Sequence, residues 1–424
     1  MSNTTKPTIE VITERPLFPA GQEQTADLLI RITPPKVEAQ TKRHRLNLSL
    51  VLDRSGSMEG EKIVRAREAA AFCIDQLLAE DRISLVIFDD VVEVLAASQP
   101  AENKEAIKER IAHIRARNST ALHEAWVRGG IEVSSHLMQD AVNRVLLITD
   151  GLANVGETNI DRIVTQAGEL AAHGVTTSTI GIGRDFNEDL LIPMAEAGRG
   201  NAWHVEQAED MARIFATEME GLIAQTGHTV SLGFTPSDGV KVQDVLNDFE
   251  VTHTGRYKLP NLLAGAPIDV VVRLKLPSQS AGNRFKALDL RLAWNPQGAP
   301  SSDREILGQS VLVEFAEPSV AESAPNDERV IKAVQFLMAA RARREAIEHL
   351  DRGDITAARQ SVVGATQALA QACAPYMADS EVQEQAEMLS DLVADLSSSA
   401  DIKMSRKKMS YQSYRFSRQS KPVK

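Results

Sequence analysis

A short apolar segment followed by alternating oxygen-bearing side chains constrains the fold more than any other stretch. Residues 46–52 are apolar except for two polar positions, and Asp53, Ser55 and Ser57 follow at every second position. From Glu61 onward, apolar side chains recur at helical spacing, at Ile63, Ala66, Ala70, Ile74 and Leu77. This pattern predicts a buried strand, a polar loop and a helix. Because ligands bind at the carboxyl ends of strands in open α/β sheets, we expect a site on this loop.

The loop offers one carboxylate and two hydroxyls, without sulfur or imidazole. Hard oxygen ligands of this kind suit Mg²⁺, Mn²⁺ or Ca²⁺ and not zinc or copper. Asp and Ser before a helix are also the usual N-capping residues, which satisfy free backbone N–H groups. Helix capping is therefore the alternative interpretation of the loop taken alone.

Two later segments favour the metal site. Residues 145–148 are an apolar run that ends in Asp150, and Gly151 follows it. Thr120 precedes a helical run that begins at Ala121. Two predicted strands that end in Asp and a third loop with a hydroxyl supply oxygen atoms from three separate loops.

Five side chains, in this order along the chain, carry a resemblance to the metal-ion-dependent adhesion site of von Willebrand factor A domains: Asp53, Ser55, Ser57, Thr120 and Asp150. The resemblance covers roughly residues 44–222. It implies that the three hydroxyls ligate Mg²⁺, with Mn²⁺ or Ca²⁺ as alternatives, and that the two aspartates bind directly or through water. An open coordination position would then accept an Asp or Glu of a partner protein. The family commonly has two glycines before the threonine, where this chain has Asn118 and Ser119. Arg54 is expected to point outward, to solvent or to the rim of a partner.

The whole-chain composition bounds the classes of function. The 424 residues carry a net charge of −11, which argues against a nucleic-acid-binding protein. No run of eighteen apolar residues predicts a membrane span, and the N-terminal sequence lacks a secretion signal, so we expect a cytoplasmic location. Cys73 and Cys373 lie within helical patterns and are expected to be small buried side chains.

The periodicity predicts a doubly wound, mainly parallel α/β sheet (Rossmann-like) inserted in an all-β sandwich, followed by a C-terminal helical segment. The predicted domains are N-terminal sandwich strands (1–43), the α/β domain (44–225), the rest of the sandwich (226–317), a helical hairpin or bundle (318–400) and a basic tail (401–424). The insertion is similar to that of inter-alpha-trypsin inhibitor heavy chains and of other bacterial proteins of this class. The first two helices resemble a tetratricopeptide hairpin, but a small bundle packed on the sandwich is the preferred interpretation.

The tail has eight basic residues and one acidic residue, with five serines and three aromatic residues among them. Its low apolar content predicts disorder. It is interpreted as a solubilising tail, a docking peptide for an acidic partner or a kinase substrate, and docking on the acidic segment 379–395 of the same chain is a further alternative.

The leading hypothesis is a non-enzymatic, metal-dependent protein-interaction scaffold whose tail docks a second partner. Its resemblance suggests partners such as AAA+ ATPases of the MoxR type, or Ser/Thr kinases, phosphatases and forkhead-associated readers. A structural assembly protein, in which the metal only stabilises loops, is the alternative. Catalysis ranks last because hydrolysis needs a base beside the metal, and His123, three residues after Thr120, is expected to be structural or on the rim.

Overall fold

The computed structural model describes residues 6–36, 44–117, 119–138, 141–151, 155–183, 186–205, 211–299, 303–398 and 402–418. The chain divides into two compact units. The first contains the described residues up to 36, from 226 to 296 and from 304 onward, and the second contains the described residues from 44 to 225 with 297–299 and 303. The predicted boundaries at residues 43 and 400, and the last six residues of the predicted tail, lie outside the described residues.

The strands are β1 (Thr8–Thr13), β2 (Phe18–Pro19), β3 (Gln24–Thr33), β4 (Arg45–Asp53), β5 (Arg82–Phe88), β6 (Val92–Pro100), β7 (Ala141–Thr149), β8 (Thr176–Ile182), β9 (Arg199–Val205), β10 (Gln225–Pro236), β11 (Lys241–Val245), β12 (Tyr257–Lys258), β13 (Leu262–Leu263), β14 (Ile268–Leu276), β15 (Arg284–Pro296) and β16 (Glu305–Ala316). The helices are α1 (Glu61–Gln76), α2 (Lys104–Ala112), α3 (Leu122–Ser134), α4 (Ile160–Ala172), α5 (Glu188–Ala197), α6 (Met211–Ile223), α7 (Pro318–Ser323), α8 (Glu328–Asp351), α9 (Ile355–Ala372), α10 (Ser380–Ser397) and α11 (Ile402–Arg418).

The second unit is an α/β domain around a six-stranded sheet of order β6-β5-β4-β7-β8-β9. Only the β5–β6 pair is antiparallel among the described pairs of this sheet, at its edge. Side chains alternate across β4, so that Leu50 packs towards α1 and α6 while Val51 packs towards α3. The doubly wound, mainly parallel sheet predicted from the sequence is confirmed.

The first unit contains a β-sandwich of a four-stranded sheet, β1-β3-β14-β11, and a six-stranded sheet that includes β10, β15 and β16. The inner faces of both sheets share one apolar core, with Leu28 and Val270 from one sheet and Leu232 and Leu288 from the other. Strand β3 precedes the α/β domain and pairs with β14, which follows it. The two-residue strands β2, β12 and β13 were not predicted, because two residues are too few to show a period.

Helix α8 covers the outer face of the four-stranded sheet, where its Val330 and Leu337 pack on Leu29 and Val271. Asp354 caps α9 by accepting from Ala357 N at 2.9 Å, as the sequence predicts. In the described part of the chain, none of the helices combines the length and apolar character needed to cross a bilayer.

The prediction that residues 401–424 are disordered is wrong for Ile402–Arg418, which form α11. Met409 is fully buried in the core shared by α8, α9 and α10, and the Ser413 hydroxyl donates to the Ala340 carbonyl at 3.0 Å. Arg406 forms an ion pair with Asp351 of α8 at 2.7 Å. The segment has too few apolar residues to fold alone, but it orders here because a preformed helical surface supplies the missing contacts.

Candidate metal centre

Strands β4 and β7 bring the two predicted aspartates to the same edge of the sheet. The strands are parallel neighbours, with Leu52 opposite Ile148, so both end at one level. The Thr149 hydroxyl donates to Asp53 Oδ2 at 2.5 Å, and Gly151 N donates to Thr149 Oγ1 at 2.8 Å. A chain of hydrogen bonds therefore links the Asp53 carboxylate to the loop that carries Asp150. Thr149 was not predicted from the sequence, where it lies between the apolar run 145–148 and Asp150.

The loop after β4 turns the first three predicted side chains into one cluster. Asp53 Oδ1 accepts from Ser55 N at 2.7 Å, and the Ser55 and Ser57 hydroxyl oxygens are 3.1 Å apart. Ser55 is buried and Ser57 is exposed, so the cluster reaches from the sheet edge to solvent. The helix-capping alternative is wrong for α1, because its N-cap is Gly60, without a side-chain cap.

The electrostatics of this edge favour a bound cation. Asp53 is fully buried. Burial raises the pKa of the Asp53 carboxyl to about 6; hydrogen bonds from Ser55 and Thr149 oppose the rise, and the charge of Asp150 adds to it. The Asp53 carboxylate is thus held out of water beside Asp150, which disfavours the charged form of Asp53 unless positive charge is supplied.

Asp150 provides the most direct test of whether the residues fit a metal. Its side chain is 1% exposed, and neither carboxylate oxygen accepts a hydrogen bond from the described residues. Lys62 Nζ, which is 3.6 Å from Asp150 Oδ2, forms an ion pair with it. A buried carboxylate without hydrogen bonds is costly, and a hard divalent cation is the partner that would satisfy both oxygens. The donor set therefore fits Mg²⁺.

Thr120 is buried on the loop that leads into α3, and main-chain hydrogen bonds hold that loop at the same edge of the sheet. Ala121 N donates to the Asp89 carbonyl at 2.6 Å, and Val155 N donates to the Thr120 carbonyl at 3.2 Å. Helix α3 lies close on β4 at Gly129, where a Cβ atom would come within 2.4 Å of Val51. Of the two residues that stand where the family has glycines, Asn118 lies outside the described residues.

Arg54 corrects one prediction and reveals a buried charge cluster. It was expected to point outward, but it is 8% exposed and its Nε is 3.0 Å from Asp89 Oδ2. Asp89 is fully buried and also accepts from Arg117 Nε at 2.5 Å and from Val91 N at 2.8 Å. The guanidinium turns inward because it pairs with this fully buried carboxylate, for which the more exposed Arg117 is the other counter-charge.

Burial by itself raises the pKa of the Asp89 carboxyl, but hydrogen bonds from Arg117 and the backbone of Val91, with the charges of Arg54 and Arg117, hold it below its usual range. This cluster also fixes the backbone around the candidate metal-binding residues. Arg54 N donates to the Phe88 carbonyl at 2.8 Å, and Arg117 N donates to the Arg54 carbonyl at 2.7 Å. Asp89 is therefore a positioning residue that the sequence did not reveal.

The histidine nearest the site in sequence faces a neighbouring helix. His123 Nε2 lies 2.6 Å from the Gln166 side-chain oxygen, and its ring packs against Trp126. Within the described ranges, no group of three or more His, Cys, Asp or Glu side chains is arranged to hold a metal. The resemblance implies a different donor set, of two carboxylates and three hydroxyls. Such a set binds a hard cation and leaves its reactivity to the ligand that completes the coordination.

Comparisons with known proteins agree with this architecture. Residues 47–217 match the family model of the von Willebrand factor type A domain. The chain is 31% identical over 180 residues to the uncharacterized protein sll0103 of Synechocystis sp. This alignment covers 42% of each of the two chains. It is 29% identical over 174 residues to inter-alpha-trypsin inhibitor heavy chain H3 of Rattus norvegicus, covering 39% of this chain and 19% of that one. This chain thus spans less than half of the length of these relatives.

A solved structure is similar over almost the whole chain. The von Willebrand factor type A protein from Catenulispora acidiphila superposes with a TM-score of 0.68 and covers 92% of this chain and 91% of that chain, at 17% sequence identity. At this identity the likeness concerns the fold alone. Sequence and structure agree on the domain that carries the candidate site residues: residues 47–217 match the model of the von Willebrand factor type A domain, and the chain shares the fold of a solved protein of that type.

Proposed function

We propose that this chain is a non-enzymatic, divalent-metal-dependent protein-interaction scaffold. Domains of the von Willebrand factor A type typically mediate protein–protein interactions. In this proposal Asp53, Ser55, Ser57, Thr120 and Asp150 hold Mg²⁺, with Mn²⁺ or Ca²⁺ as alternatives, and the metal accepts an Asp or Glu of a partner. The observation that carries the proposal is the Asp150 carboxylate, which is buried with both oxygens lacking hydrogen bonds from the described residues.

The chemistry follows from the charge of the donor set. In the proposed site the three neutral hydroxyls bind the cation and the two carboxylates bind it directly or through water. Few charges then contact the ion directly, so it keeps a strong attraction for a further negative oxygen ligand. Mg²⁺ prefers six oxygen ligands in octahedral geometry, so a partner carboxylate completes a shell that the protein itself leaves open. The exposed side of the cluster, at Gly56 and Ser57, is where such a ligand can approach.

In this proposal α11 is not a free tail that docks a second partner. Helix α11 packs on its own unit, where Lys408 pairs with Asp395 at 3.6 Å and Arg415 with Glu384 at 3.9 Å. These contacts favour the alternative in which the basic segment docks on the acidic helix of the same chain. AAA+ ATPases of the MoxR type, Ser/Thr kinases, phosphatases and forkhead-associated readers stay as candidate partners of the metal face. We also propose a cytoplasmic location, where the free thiols of Cys73 and Cys373 would persist reduced.

Affinity capture on the immobilised full-length chain tests this function. Proteins retained in Mg²⁺ are identified by mass spectrometry and compared with those retained in EDTA and by the Asp150→Asn variant. We expect the same partner to be absent with EDTA and with the Asp150→Asn variant. Asp75→Asn is the matched control, because Asp75 is an exposed carboxylate of the same domain that pairs with Lys108. A partner that binds equally with EDTA and with Asp150→Asn contradicts the proposal.

The structural assembly alternative gives a different pattern. If the metal only stabilises loops, EDTA lowers the melting temperature of the domain but leaves partner capture unchanged. A phosphatase or nucleotidase activity that disappears in Asp150→Ala would support the enzyme interpretation. Capture, melting temperature and activity together therefore separate the three classes of function.

A further inference from the structure

Lys62 lies beside the proposed metal centre but belongs to none of the ligand positions. It is the second residue of α1, and its Nζ is 3.6 Å from Asp150 Oδ2. The Lys62 side chain is 30% exposed, whereas that of Asp150 is 1% exposed. The Asp150 carboxylate is therefore fixed in the protein interior, and the Lys62 ammonium group reaches it from the surface on a flexible side chain.

The position of Lys62 in its helix works against its charge. The first turn of a helix carries the positive end of the macrodipole, where acidic residues are favoured and basic residues are disfavoured. Glu61, the residue before it, follows this preference, and Lys62 does not. The local gain that offsets the unfavourable position is the carboxylate of Asp150.

The loop after β8 leaves room for the Lys62 side chain. Gly183 has a φ of +80°, and a Cβ atom there would lie 2.8 Å from Lys62 Cε and 3.1 Å from Nζ. The loop cannot easily yield, because Gly183 N donates to the Val205 carbonyl at 2.8 Å and the Gly183 carbonyl lies 3.1 Å from His204 Nε2. Glycine suits the positive φ, and a residue with a Cβ atom would also push the end of the lysine side chain from its place beside Asp150.

We propose that Lys62 is a tethered cation that neutralises Asp150 in the metal-free domain and is displaced when the divalent ion binds. This inference rests on the proposed metal site. Metal binding is then an exchange of one cation for another. Lys62 weakens the affinity for the metal, and it keeps the metal-free domain stable by opposing the repulsion between Asp53 and Asp150. Because the affinity is lower, the fraction of sites with bound metal then changes over a range of free metal concentration in which a tighter site would stay saturated.

Titration of the full-length chain with Mn²⁺ alone, followed by calorimetry, tests this role. We expect Lys62→Met to bind Mn²⁺ about tenfold more tightly, which corresponds to about 1.4 kcal/mol. The same variant should melt at a lower temperature than wild type without metal and at a similar temperature with saturating Mn²⁺. Lys62→Arg, which keeps the charge, should stay within about threefold of the wild-type affinity. Arg65→Met is the control, since it removes a cation of α1 that pairs with Glu61 and Glu68 instead.

Each outcome is informative. Equal or weaker Mn²⁺ binding by Lys62→Met overturns the role of Lys62 while the metal site stands. An equal gain in affinity for Arg65→Met also overturns it, because the effect would then be one of net charge. Absence of Mn²⁺ binding in wild type and Lys62→Met alike overturns both the proposed metal site and this inference. If Lys62→Met fails to fold, Lys62→Gln, which keeps a polar side chain of similar length, provides the same comparison.

Discussion

Replacing Asp89 by Asn removes one buried charge and leaves the side-chain shape almost unchanged. In the wild type the carboxylate faces two arginines of very different exposure: the side chain of Arg54 is 9% exposed and that of Arg117 is 53% exposed. The amide oxygen of Asn can still accept from Val91 N, so the backbone turn is retained. The change therefore isolates the loss of the counter-charge of Arg54.

The magnitude follows from the burial of the two arginines. Removing one partner of a buried ion pair costs about 3–5 kcal/mol, whereas an exposed pair contributes about 0–1 kcal/mol. Arg54 retains a second acidic partner, the half-exposed Glu93 at 3.2 Å, which places the expected loss at the lower limit. We expect Asp89→Asn to destabilise the α/β domain by about 3 kcal/mol and Arg117→Ala by about 1 kcal/mol or less.

Native-state hydrogen exchange of the full-length chain measures this loss locally, in peptides that cover β4 and β5. The pKa of Asp89 is held below its usual range, so its contribution is present above the unfolded-state pKa of about 3.9 and is lost as pH falls through the folded value. The difference between wild type and Asp89→Asn should therefore persist at neutral pH and shrink below about pH 4. Equal, small effects of Asp89→Asn and Arg117→Ala would refute the argument that Arg54 depends on Asp89.

Three further predictions concern the metal site and the helical segment. Mg²⁺ at a hundredfold excess over its dissociation constant should stabilise wild type by about 2.7 kcal/mol, and Asp150→Asn should abolish the corresponding rise in melting temperature. Arg343 is fully buried, burial lowers its pKa to about 10, and no acidic partner for it is found among the described residues. Arg343→Met should therefore leave stability in urea unchanged or raise it by about 1 kcal/mol, and a loss above about 3 kcal/mol would contradict this reasoning. Ser413→Asp places a charge against the Ala340 carbonyl and should release α11, measured as faster tryptic cleavage there, whereas Ser410→Asp, at a less buried position, should cleave as wild type does.

Local sequence patterns were sufficient to predict the strands and helices that bury one face or that end at a distinct change from apolar to polar residues. The alternation and run length around β4 and β7 predicted two strands, and their position in a doubly wound sheet placed Asp53 and Asp150 at one edge. The three hydroxyl residues followed from their spacing and from the family resemblance. These predictions depend on neighbours within a few positions, so one sequence contains the information.

Long-range packing decided what the sequence left open or misassigned. The inward turn of Arg54 depends on Asp89, 35 positions later, and the ion pair of Lys62 with Asp150 joins residues from different elements. Helix α11 orders only because α8 and α10 supply an apolar surface and acidic partners. Periodicity indicates which face of a segment is apolar. It does not indicate which distant charge or surface will contact that segment in the folded chain. The proposed ligand residues could thus be named from the sequence, whereas the cations Lys62 and Arg54 beside them were found only in the folded structure.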